Sequence, residues 1–364
     1  MSARAWSQDD VAQRLRFGSG ALADLPTLLR ELGLRRVVLI TSSGRAASDD
    51  GARLVRLAGR ALASTFAGVE PHLPVDSVRA AHTAVQGEGA DGIVTFGGGA
   101  VVDCGKAVAF FTEQQAGVPG RSVLDRAALV HVALPTTYSP SVLSGEFTMT
   151  DLHTRTKGRA GSPTCAPSAV VFDPDLTADL GPATVAGTGM DALAAAIEGV
   201  RRPVGAEAEV LAMTAAPRIA GVLPLVVDAP DDDVLRADLM ESAALAARVL
   251  QRPGPGPHQI VTQLVGGRTG APHGVISAML LPHTVARTGG PGMDQLAQAI
   301  GAMGADDLAA TVSELVERLG LPSRLATLGV EQSDIDAVAR LSQALQPAIS
   351  WDEDTVAEVL SAAL

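Results

Sequence analysis

Residues 91–111 read DGIVTFGGGAVVDCGKAVAFF and combine a strand, a glycine turn and a helix. The β-branched and aromatic run at 92–96, which is bounded by glycine, predicts a buried strand. Apolar residues at helical spacing from 100 to 111 predict a helix. Gly97, Gly98 and Gly99 join the two elements, so the sequence predicts a sharp turn between a buried strand and a helix.

The three glycines predict a binding site for the diphosphate of a nucleotide. Glycine tolerates positive φ and lets the backbone lie against a ligand, while the first N–H groups of the next helix point outward along its dipole. Two well-known motifs do not match: a P-loop would have glycine at Ala100 and Ser or Thr at Ala107, and a GxGxxG fingerprint would have glycine at Val102. The alternative is a tight turn that binds nothing.

Composition limits the class of protein and its partners. A chain of 364 residues with 47% hydrophobic content and a mean hydropathy of +0.24 is long enough for two globular domains. Its net charge of −12 and pI near 5.0 argue against a nucleic-acid partner or an anionic membrane surface. We therefore expect a small-molecule partner, no nucleic acid and no membrane.

Cysteine content and the N-terminus indicate the compartment. Cys104 and Cys165 lie too far apart in sequence to form a disulfide framework, and both are expected to be buried and inert. We expect no apolar run long enough to span a membrane, and the first residues, MSARAWSQDD, are acidic where a signal peptide is apolar. The sequence therefore predicts a cytoplasmic protein.

Strands alternate with helices in the first half of the chain. Strands are predicted at 36–41, near 69, at 92–96, 130–134 and 169–172. An entry turn and a helix are predicted within 17–34, and further helices at 50–67, 75–88 and 100–111. This order predicts an α/β domain with a parallel sheet over residues 1–180, whose ligands lie beyond the carboxyl ends of the strands. Helical periodicity dominates from 181 to 364, interrupted by Gly/Pro breaks near 202, at 253–257 and at 289–292, and it predicts an all-α domain.

The loop after the strand at 36–41 bears on the choice of cofactor. It reads Thr41-Ser42-Ser43-Gly44 and has no acidic residue to bind the adenosine ribose hydroxyls. Ser42 is the candidate for contact with the ribose, and the loop leaves NAD and NADP equally open.

Lysine is nearly absent from this chain. Lys106 and Lys157 are its only lysines, and the other basic residues are arginines. Lys106 follows Asp103 by one helical turn, just after the glycine turn. The position is consistent with a solvated helix face or with a functional site.

Six stretches, in order along nearly the whole chain, carry a family resemblance. They read FGSGALADLP, GGGAVVDCGKAVA, LPTTYSPS, VVFDPDLT, AGTGMDALAAAIEG and QLVGGRTGAPHGVISAMLLPH. With them the chain resembles the iron-containing alcohol dehydrogenase superfamily, and most closely its maleylacetate reductase branch. The resemblance implies a Rossmann-like NAD(P) domain, a helical C-terminal domain, a cleft between them for the substrate, and a homodimer.

The resemblance also implies roles for individual residues on the cofactor side. Gly97, Gly98 and Gly99 would bind the diphosphate, Asp103, Lys106 and Lys157 would lie near the cofactor, and Thr136, Thr137 and Ser141 would line the nicotinamide side. Both lysines of the chain fall on these positions, which favours a functional role for them.

The metal site is where the sequence departs from the family. The family pattern is an Asp and a His one helical turn apart, followed by two further His, because a divalent cation needs several converging donors. Asp191 and His273 match two positions, but Ala195 and Gln263 stand at the other two. The sequence therefore predicts no tightly bound metal.

Hydride transfer to a carbonyl needs a group that stabilises and protonates the developing alkoxide. His273 and His258 are the candidates, with Lys157, Arg155 or Arg268 as the cationic partner. A lone histidine is also often a hydrogen-bonded structural group. Two further departures affect this region: Val142 replaces a glutamate usual in the family, and the segment 252–257 shortens a helix expected at the cleft.

The first functional hypothesis is a metal-independent, NAD(P)H-dependent reductase of a small, carboxylated carbonyl or enone compound. The alternative is a redox-silent biosynthetic enzyme, a lyase, dehydratase or cyclase, that uses the same interdomain cleft. A third hypothesis is a protein that binds a ligand or stabilises a partner without catalysis.

Overall fold

The computed structural model describes residues 11–117, 129–201, 205–251, 254–287, 289, 292–346 and 348–364. The acidic N-terminus used above to predict the compartment lies outside these residues. The chain divides into two compact units. One comprises the described residues up to Thr137 and Ser141–Asp179, and the other comprises Leu180–Leu364 with the short segment Tyr138–Pro140. The first unit is α/β and the second is helical, which confirms the predicted fold class.

The α/β unit contains a parallel sheet and a hairpin. Its strands, numbered along the chain, are β1 (Arg14–Phe17), β2 (Val37–Thr41), β3 (Leu62–Phe66), β4 (Gly92–Gly97), β5 (Val130–Pro135), β6 (Glu146–Asp151), β7 (Thr156–Gly161) and β8 (Ala169–Phe172). Six of them form one sheet in the order β1–β8–β5–β4–β2–β3, and every described pair in it is parallel. β6 and β7 form a separate antiparallel pair.

Helices cover both faces of the sheet. They are α1 (Leu25–Glu31), α2 (Ser43–Ala46), α3 (Asp49–Ala58), α4 (Val75–Glu88) and α5 (Gly99–Gln115). Alternate residues of a strand point to opposite faces. Phe96 of β4 packs in a core with Leu25 of α1 and Leu54 of α3, while Ile93 of β4 packs in a second core with Val108 of α5. β4 is therefore buried on both faces, as its apolar sequence predicts.

Two boundaries predicted near β3 are wrong. The helix predicted at 50–67 ends at Ala58, and the strand predicted near 69 is β3, Leu62–Phe66. Gly59 has a φ of 54°, and its N–H donates to the carbonyl of Val55, so the helix ends at a glycine with positive φ. Because a single glycine inside an apolar periodic run is only a weak stop signal, the sequence pattern continued the helix past it.

The sequence analysis missed β1 and the hairpin β6–β7. β1 is a four-residue edge strand with a mostly exposed pattern, so it lacks the buried run that identifies the other strands. β7, TKGRAG, has polar and glycine residues in place of β-branched ones. Such short strands are fixed by their tertiary partners.

The second unit is built from helices. They are α6 (Pro182–Arg201), α7 (Ala206–Asp228), α8 (Asp233–Leu250), α9 (Pro257–Thr269), α10 (His273–Val285), α11 (Met293–Ile300), α12 (Leu308–Arg318), α13 (Gln332–Gln343) and α14 (Glu353–Ala362). Val261 of α9, Leu280 of α10, Val338 of α13 and Val356 of α14 belong to one buried core. α6, α8 and α10 end at the predicted Gly/Pro breaks, although residues 202–204, 252–253, 288 and 290–291 lie outside the described part.

α7 contradicts the expectation that no stretch is long and apolar enough to span a membrane. Its 23 residues reach a mean hydropathy of 1.8. One such helix is weak evidence for a membrane protein, because a core helix has the same composition. Ala212, Ile219 and Leu223 of α7 are fully buried in the helical unit, whereas Val210 and Leu225 are 64% and 45% exposed, and 39% of the apolar window is buried.

A buried histidine under α5 gives the α/β unit a pH-dependent stability. His131 of β5 is fully buried, with Nε2 2.7 Å from Thr95 Oγ1, and Nδ1 has no partner among the described residues. Burial, together with the positive charge of Lys106, lowers the pKa of His131 from 6.5 to about 3. Below pH 6.5, His131 therefore binds a proton in the unfolded chain but stays neutral in the folded chain. The free energy of unfolding falls as the pH drops.

We predict that this histidine makes the protein acid-sensitive. At about 1.4 kcal/mol per pH unit, the wild type should lose about 2 kcal/mol more unfolding free energy between about pH 7 and pH 5 than the variant His131→Gln. Urea unfolding at both pH values measures the difference, and the variant's own stability at neutral pH serves as its reference. Equal losses in the two proteins would contradict the prediction.

Candidate functional site

The glycine turn lies between β4 and α5. Gly97 ends β4 with a φ of 157°, and a Cβ at this position would lie 2.6 Å from Val101 Cγ2. Gly98 is the N-cap residue of α5, and Gly99 begins the helix. The backbone at Gly97 therefore requires glycine, because an L side chain would meet both an unfavourable φ and the first turn of α5.

The first turn of α5 has N–H groups available for an anion. The N–H groups of Val101 and Val102 donate to the carbonyl of Gly98. Those of Gly99 and Ala100 have no acceptor among the described residues, and both residues are partly exposed. Free N–H groups at the positive end of a helix suit a phosphate oxygen. The turn therefore fits the diphosphate of a dinucleotide.

Threonines and a serine border this turn. The N–H of Thr136 donates to the carbonyl of Gly97, and its buried hydroxyl has no partner among the described residues. A Cβ on Gly98 would lie 3.1 Å from Thr137 Cγ2, so Thr137 lies beside the turn. Ser42, after β2, accepts a hydrogen bond from the N–H of Arg45 and is partly exposed. β2 and β4 are neighbours in the sheet, so Ser42 and the glycine turn open at the same edge.

Asp103 and Lys106 attach the hairpin to α5. Lys106 is 0% exposed, and its Nζ donates to Asp103 Oδ1 at 3.1 Å, to the carbonyl of Ser141 at 2.7 Å and to that of Glu146 at 3.0 Å. Asp103 Oδ2 accepts from the N–H of Thr148 on β6. An ammonium group has three N–H donors. The expectation of direct contact with a cofactor therefore does not fit the geometry of Lys106, whose donors are all used inside the protein.

The cationic candidates take separate positions. Lys157 lies on β7 opposite Thr150 of β6 and is partly exposed, and Arg155 is exposed in the turn of the hairpin. Arg268 of α9 pairs with Asp334 of α13, with Nη2 2.8 Å from Oδ1. Arg268 thus ties two helices of the helical unit together.

A close crossing of two helices brings Asp191 and His273 together. A Cβ on Gly274 of α10 would lie 2.5 Å from the carbonyl carbon and oxygen of Gly187 on α6. A Cβ on Gly187 would likewise lie 3.2 Å from the carbonyl carbon of Gly274. The two backbones therefore touch where neither residue has a side chain. Asp191 lies one turn after Gly187, and His273 immediately precedes Gly274.

Gln259 of α9 joins these two residues. Its Nε2 donates to Asp191 Oδ1 at 3.0 Å, and its Oε1 lies 3.2 Å from His273 Nε2. His273 Nε2 is also 3.5 Å from Asp191 Oδ1. We call these three residues the Asp191–Gln259–His273 triad. Its members come from α6, α9 and α10.

The electrostatics of the triad favour an ionised carboxylate. Burial by itself raises the pKa of Asp191, but the charge and hydrogen bond of His273 and the amide of Gln259 hold that pKa below its ordinary value. The side chain of His273 is 30% exposed. His273 is thus the member of the triad that a substrate can reach.

The triad does not fit a metal centre. Ala195 has no donor atom, and no group of three His, Cys, Asp or Glu side chains that could hold a metal ion occurs among the described residues. Gln263 is buried, and its amide is a weak ligand for a divalent cation. The one carboxylate of the triad already accepts a hydrogen bond from an amide N–H. Asp191 and His273 remain as two donors where a stable site needs more.

His258 has a structural environment. It is fully buried, with Nδ1 2.9 Å from Thr284 Oγ1 and Nε2 2.9 Å from Ser277 Oγ. Thr284 donates its own hydroxyl hydrogen to the carbonyl of Leu281, so it accepts from Nδ1–H. Burial lowers the pKa of His258 to about 3. Both ring nitrogens are occupied, and the structure therefore corrects the catalytic role expected for His258 in favour of the structural alternative.

Sequence reasoning missed the two features that organise this site. Gln259 follows His258 directly, but a lone glutamine carries no motif signal. Gly187 and Gly274 belong to the quoted stretches AGTGMDALAAAIEG and GAPHGVISAMLLPH, where a glycine inside a predicted helix can indicate close packing. That signal could have predicted a helix crossing beside Asp191 and His273.

Two family models match the chain. The model "Iron-containing alcohol dehydrogenase" matches residues 12–174, and "Fe-containing alcohol dehydrogenase family, C-terminal" matches residues 185–364. The maleylacetate reductase of Rhizobium sp. (strain MTP-10005) is 30% identical over 335 residues, which cover 91% of this chain and 89% of that protein.

Solved structures agree with these matches. The crystal structure of maleylacetate reductase from Agrobacterium tumefaciens superposes with a TM-score of 0.84 at 27% identity, covering 99% of this chain and 98% of that one. Sulfoacetaldehyde reductase from Bifidobacterium kashiwanohense, solved in complex with NAD⁺, has a TM-score of 0.85 at 22% identity and covers 99% of each chain. At that identity the second similarity concerns the fold alone.

Proposed function

Because the chain belongs to the iron-containing alcohol dehydrogenase family, we propose that it is a metal-independent, NAD(P)H-dependent reductase of a small, carboxylated carbonyl or enone compound. The observation that supports cofactor use is the glycine turn, with its required glycine at 97 and the free N–H groups of Gly99 and Ala100. The maleylacetate reductases among its relatives support reduction as the reaction.

On the cofactor side, NAD(P)H held at the glycine turn would supply the hydride for the substrate carbon, and the reduced double bond would then need a proton from the protein. In this proposal the N–H groups of the glycine turn bind the diphosphate. Ser42 contacts the adenosine ribose, and Thr137 and Ser141 line the nicotinamide side. Asp103 and Lys106 act indirectly, by holding the hairpin that carries Lys157 against α5.

On the substrate side, we assign proton donation to the imidazole of His273, the partly exposed member of the triad. Its ring lies beside the Asp191 carboxylate, with Nε2 3.5 Å from Oδ1, and in this proposal it delivers a proton to the oxygen or carbon that becomes basic after hydride transfer. Lys157 remains the predicted cationic partner of the catalytic histidine. The interdomain cleft remains a prediction as well.

Cofactor binding and turnover test the proposed function. Titration with NADH and with NADPH should quench or shift the fluorescence of the reduced nicotinamide, and the preferred one should raise the melting temperature. Adding maleylacetate should then oxidise it, with no loss of rate after dialysis against a chelator. No binding of either cofactor would overturn the proposal.

The second candidate is a redox-silent lyase, dehydratase or cyclase. The observation that favours it is the loss of ligands at Ala195 and Gln263, which removes the group that polarises the carbonyl in metal-dependent relatives. Substrate consumption without oxidation of the nicotinamide, and unaffected by removing it, would support this candidate over the first.

We also propose a homodimer in the cytoplasm. β1 pairs only with β8 among the described strands, so its other edge is open. Arg14 and Arg16 both pair with Glu31, while Leu15 and Phe17 are 40% and 46% exposed. A second copy that pairs with this edge would cover these apolar residues. Sedimentation velocity measures the assembly, and a monomer at micromolar concentration would contradict it. Cell fractionation measures the location.

A further inference from the structure

We propose that the amide of Gln259 takes the place of a divalent cation, joins the Asp191 carboxylate to the His273 imidazole, and so acts as a positioning residue for His273. The inference rests on the proposed function for its catalytic consequence only. Its structural part is that an amide bridge lies where a metal ion would bind, and this part rests on the geometry of the triad alone.

Hydrogen-bond chemistry fixes the orientation of the Gln259 amide. Nε2 of the Gln259 amide donates to the carboxyl oxygen Oδ1 of Asp191 at 3.0 Å. The carbonyl Oε1 then faces His273, and because it only accepts, Nε2 of His273 must carry a hydrogen. Gln259 thus donates to the Asp191 carboxylate with its NH₂ group and accepts from Nε2–H of His273 with its carbonyl oxygen, which determines the nitrogen of the imidazole that carries the hydrogen.

The spacing of the polar atoms resembles the edges of a coordination shell. Ligand bonds of about 2.1 Å place neighbouring donor atoms about 3.0–3.4 Å apart in octahedral or tetrahedral geometry. His273 Nε2 and Asp191 Oδ1 are 3.5 Å apart, just beyond this range, while the separations of 3.0 and 3.2 Å are the hydrogen bonds that Nε2 and Oε1 of Gln259 make to them. A cation bound to Asp191 Oδ1 would have to displace the amide N–H. The bridging amide therefore holds the two side chains at a distance suited to metal ligands while it blocks the ion.

Burial argues for a dedicated role of the glutamine. Gln259 is 6% exposed, and a buried amide without hydrogen-bond partners would be costly. The two ends of the Gln259 amide form hydrogen bonds with Asp191 and His273, the two residues that match the family's ligand positions. Packing alone would be served as well by an apolar side chain of the same length. The polar ends are therefore the part of Gln259 that the site uses.

Two substitutions of Gln259 test separately whether its amide excludes a metal ion and whether it positions His273. Gln259→Glu replaces the N–H donor with a carboxylate and gives three converging donors, Glu at 259, Asp191 and His273. We expect it to bind about one Zn²⁺ per chain after incubation with ZnCl₂ and dialysis, and to melt at a higher temperature with Zn²⁺. The wild type should do neither. Adding His273→Gln to this variant removes a donor and should abolish the binding.

Gln259→Met keeps the length and removes both hydrogen bonds. We expect kcat to fall about tenfold or more while the dissociation constant of the nicotinamide cofactor stays within about twofold, since the change acts through His273. A general packing defect would lower the melting temperature and both parameters together.

Three results would overturn the inference. They are one tightly held divalent ion per chain in the purified wild type, failure of a folded Gln259→Glu to bind Zn²⁺, and an unchanged kcat for Gln259→Met. If the Glu variant does not fold, the metal content of the wild type and the kinetics of Gln259→Met still decide. If no NAD(P)H is oxidised at all, the proposed function fails, whereas the Zn²⁺ measurements continue to test the triad.

Discussion

Gly274→Ala is expected to destroy the arrangement of the triad and to abolish most of the activity. The new Cβ would lie 2.5 Å from backbone atoms of Gly187 and 3.0 Å from the N atom of Thr188, and backbone atoms within a helix have no alternative rotamer. α10 and α6 must therefore move apart, which separates His273 from Asp191. We expect a loss of about 2–3 kcal/mol of unfolding free energy from overpacking, and a fall in kcat/KM of about a hundredfold or more.

Gly221→Ala is the matched control for this prediction. Gly221 lies in the interior of α7, and a Cβ there would meet no atom within 4 Å. Alanine at an exposed helix position should be neutral or stabilising by up to about 1 kcal/mol. Chemical denaturation and steady-state kinetics of both variants measure the two effects. Wild-type stability and turnover in Gly274→Ala would show that the crossing is not as tight as described.

Gly97→Ala is the second change with a large expected effect, this time on cofactor binding. The φ of 157° disfavours an L residue, and the Cβ would lie 2.6 Å from Cγ2 and 2.8 Å from Cβ of Val101. The first turn of α5 must shift to relieve this contact, and the N–H groups of Gly99 and Ala100 shift with it. We expect the dissociation constant for the nicotinamide cofactor to rise about a hundredfold or more, which is about 2.7 kcal/mol.

Gly117→Ala provides the control at the other end of the same helix. Gly117 also has a positive φ, 66°, but no atom lies within 4 Å of a Cβ there. It should cost about 1 kcal/mol of stability through backbone strain and leave cofactor affinity unchanged. Fluorescence titration and thermal melting of both variants separate strain from loss of the binding site. Equal affinity in Gly97→Ala and Gly117→Ala would refute the assignment of the glycine turn.

Much of the α/β unit could be predicted because its signals are local. The apolar runs of β2, β4, β5 and β8 are buried on both faces of a parallel sheet, and such strands have a recognisable composition. The helix predicted at 75–88 is α4 without a change of boundary. The hairpin was missed because β6 and β7 depend on contacts with α5, through Lys106 and Asp103, that lie far away in sequence.

The roles of single residues were harder to predict. Asp103 and Lys106 were predicted to lie near the cofactor, and their side chains bond to each other and to the hairpin. His258 and His273 look equivalent in sequence, since each is a histidine near the start of a helix. Their environments differ: His258 is enclosed by Ser277 and Thr284, whereas His273 is 30% exposed beside Asp191.

The sequence by itself determined the family, the central strands of the parallel sheet and the glycine turn, and it predicts the loss of two metal-ligand positions. All of these follow from residue types at fixed spacings. Only the tertiary structure decided that Gln259 bridges Asp191 and His273, and that two glycines let α6 and α10 touch. The physical reason is that these contacts join residues that are far apart in sequence. Asp191 and Gln259 are 68 positions apart, and Gly187 and Gly274 are 87 positions apart. No local pattern encodes a distance of that kind.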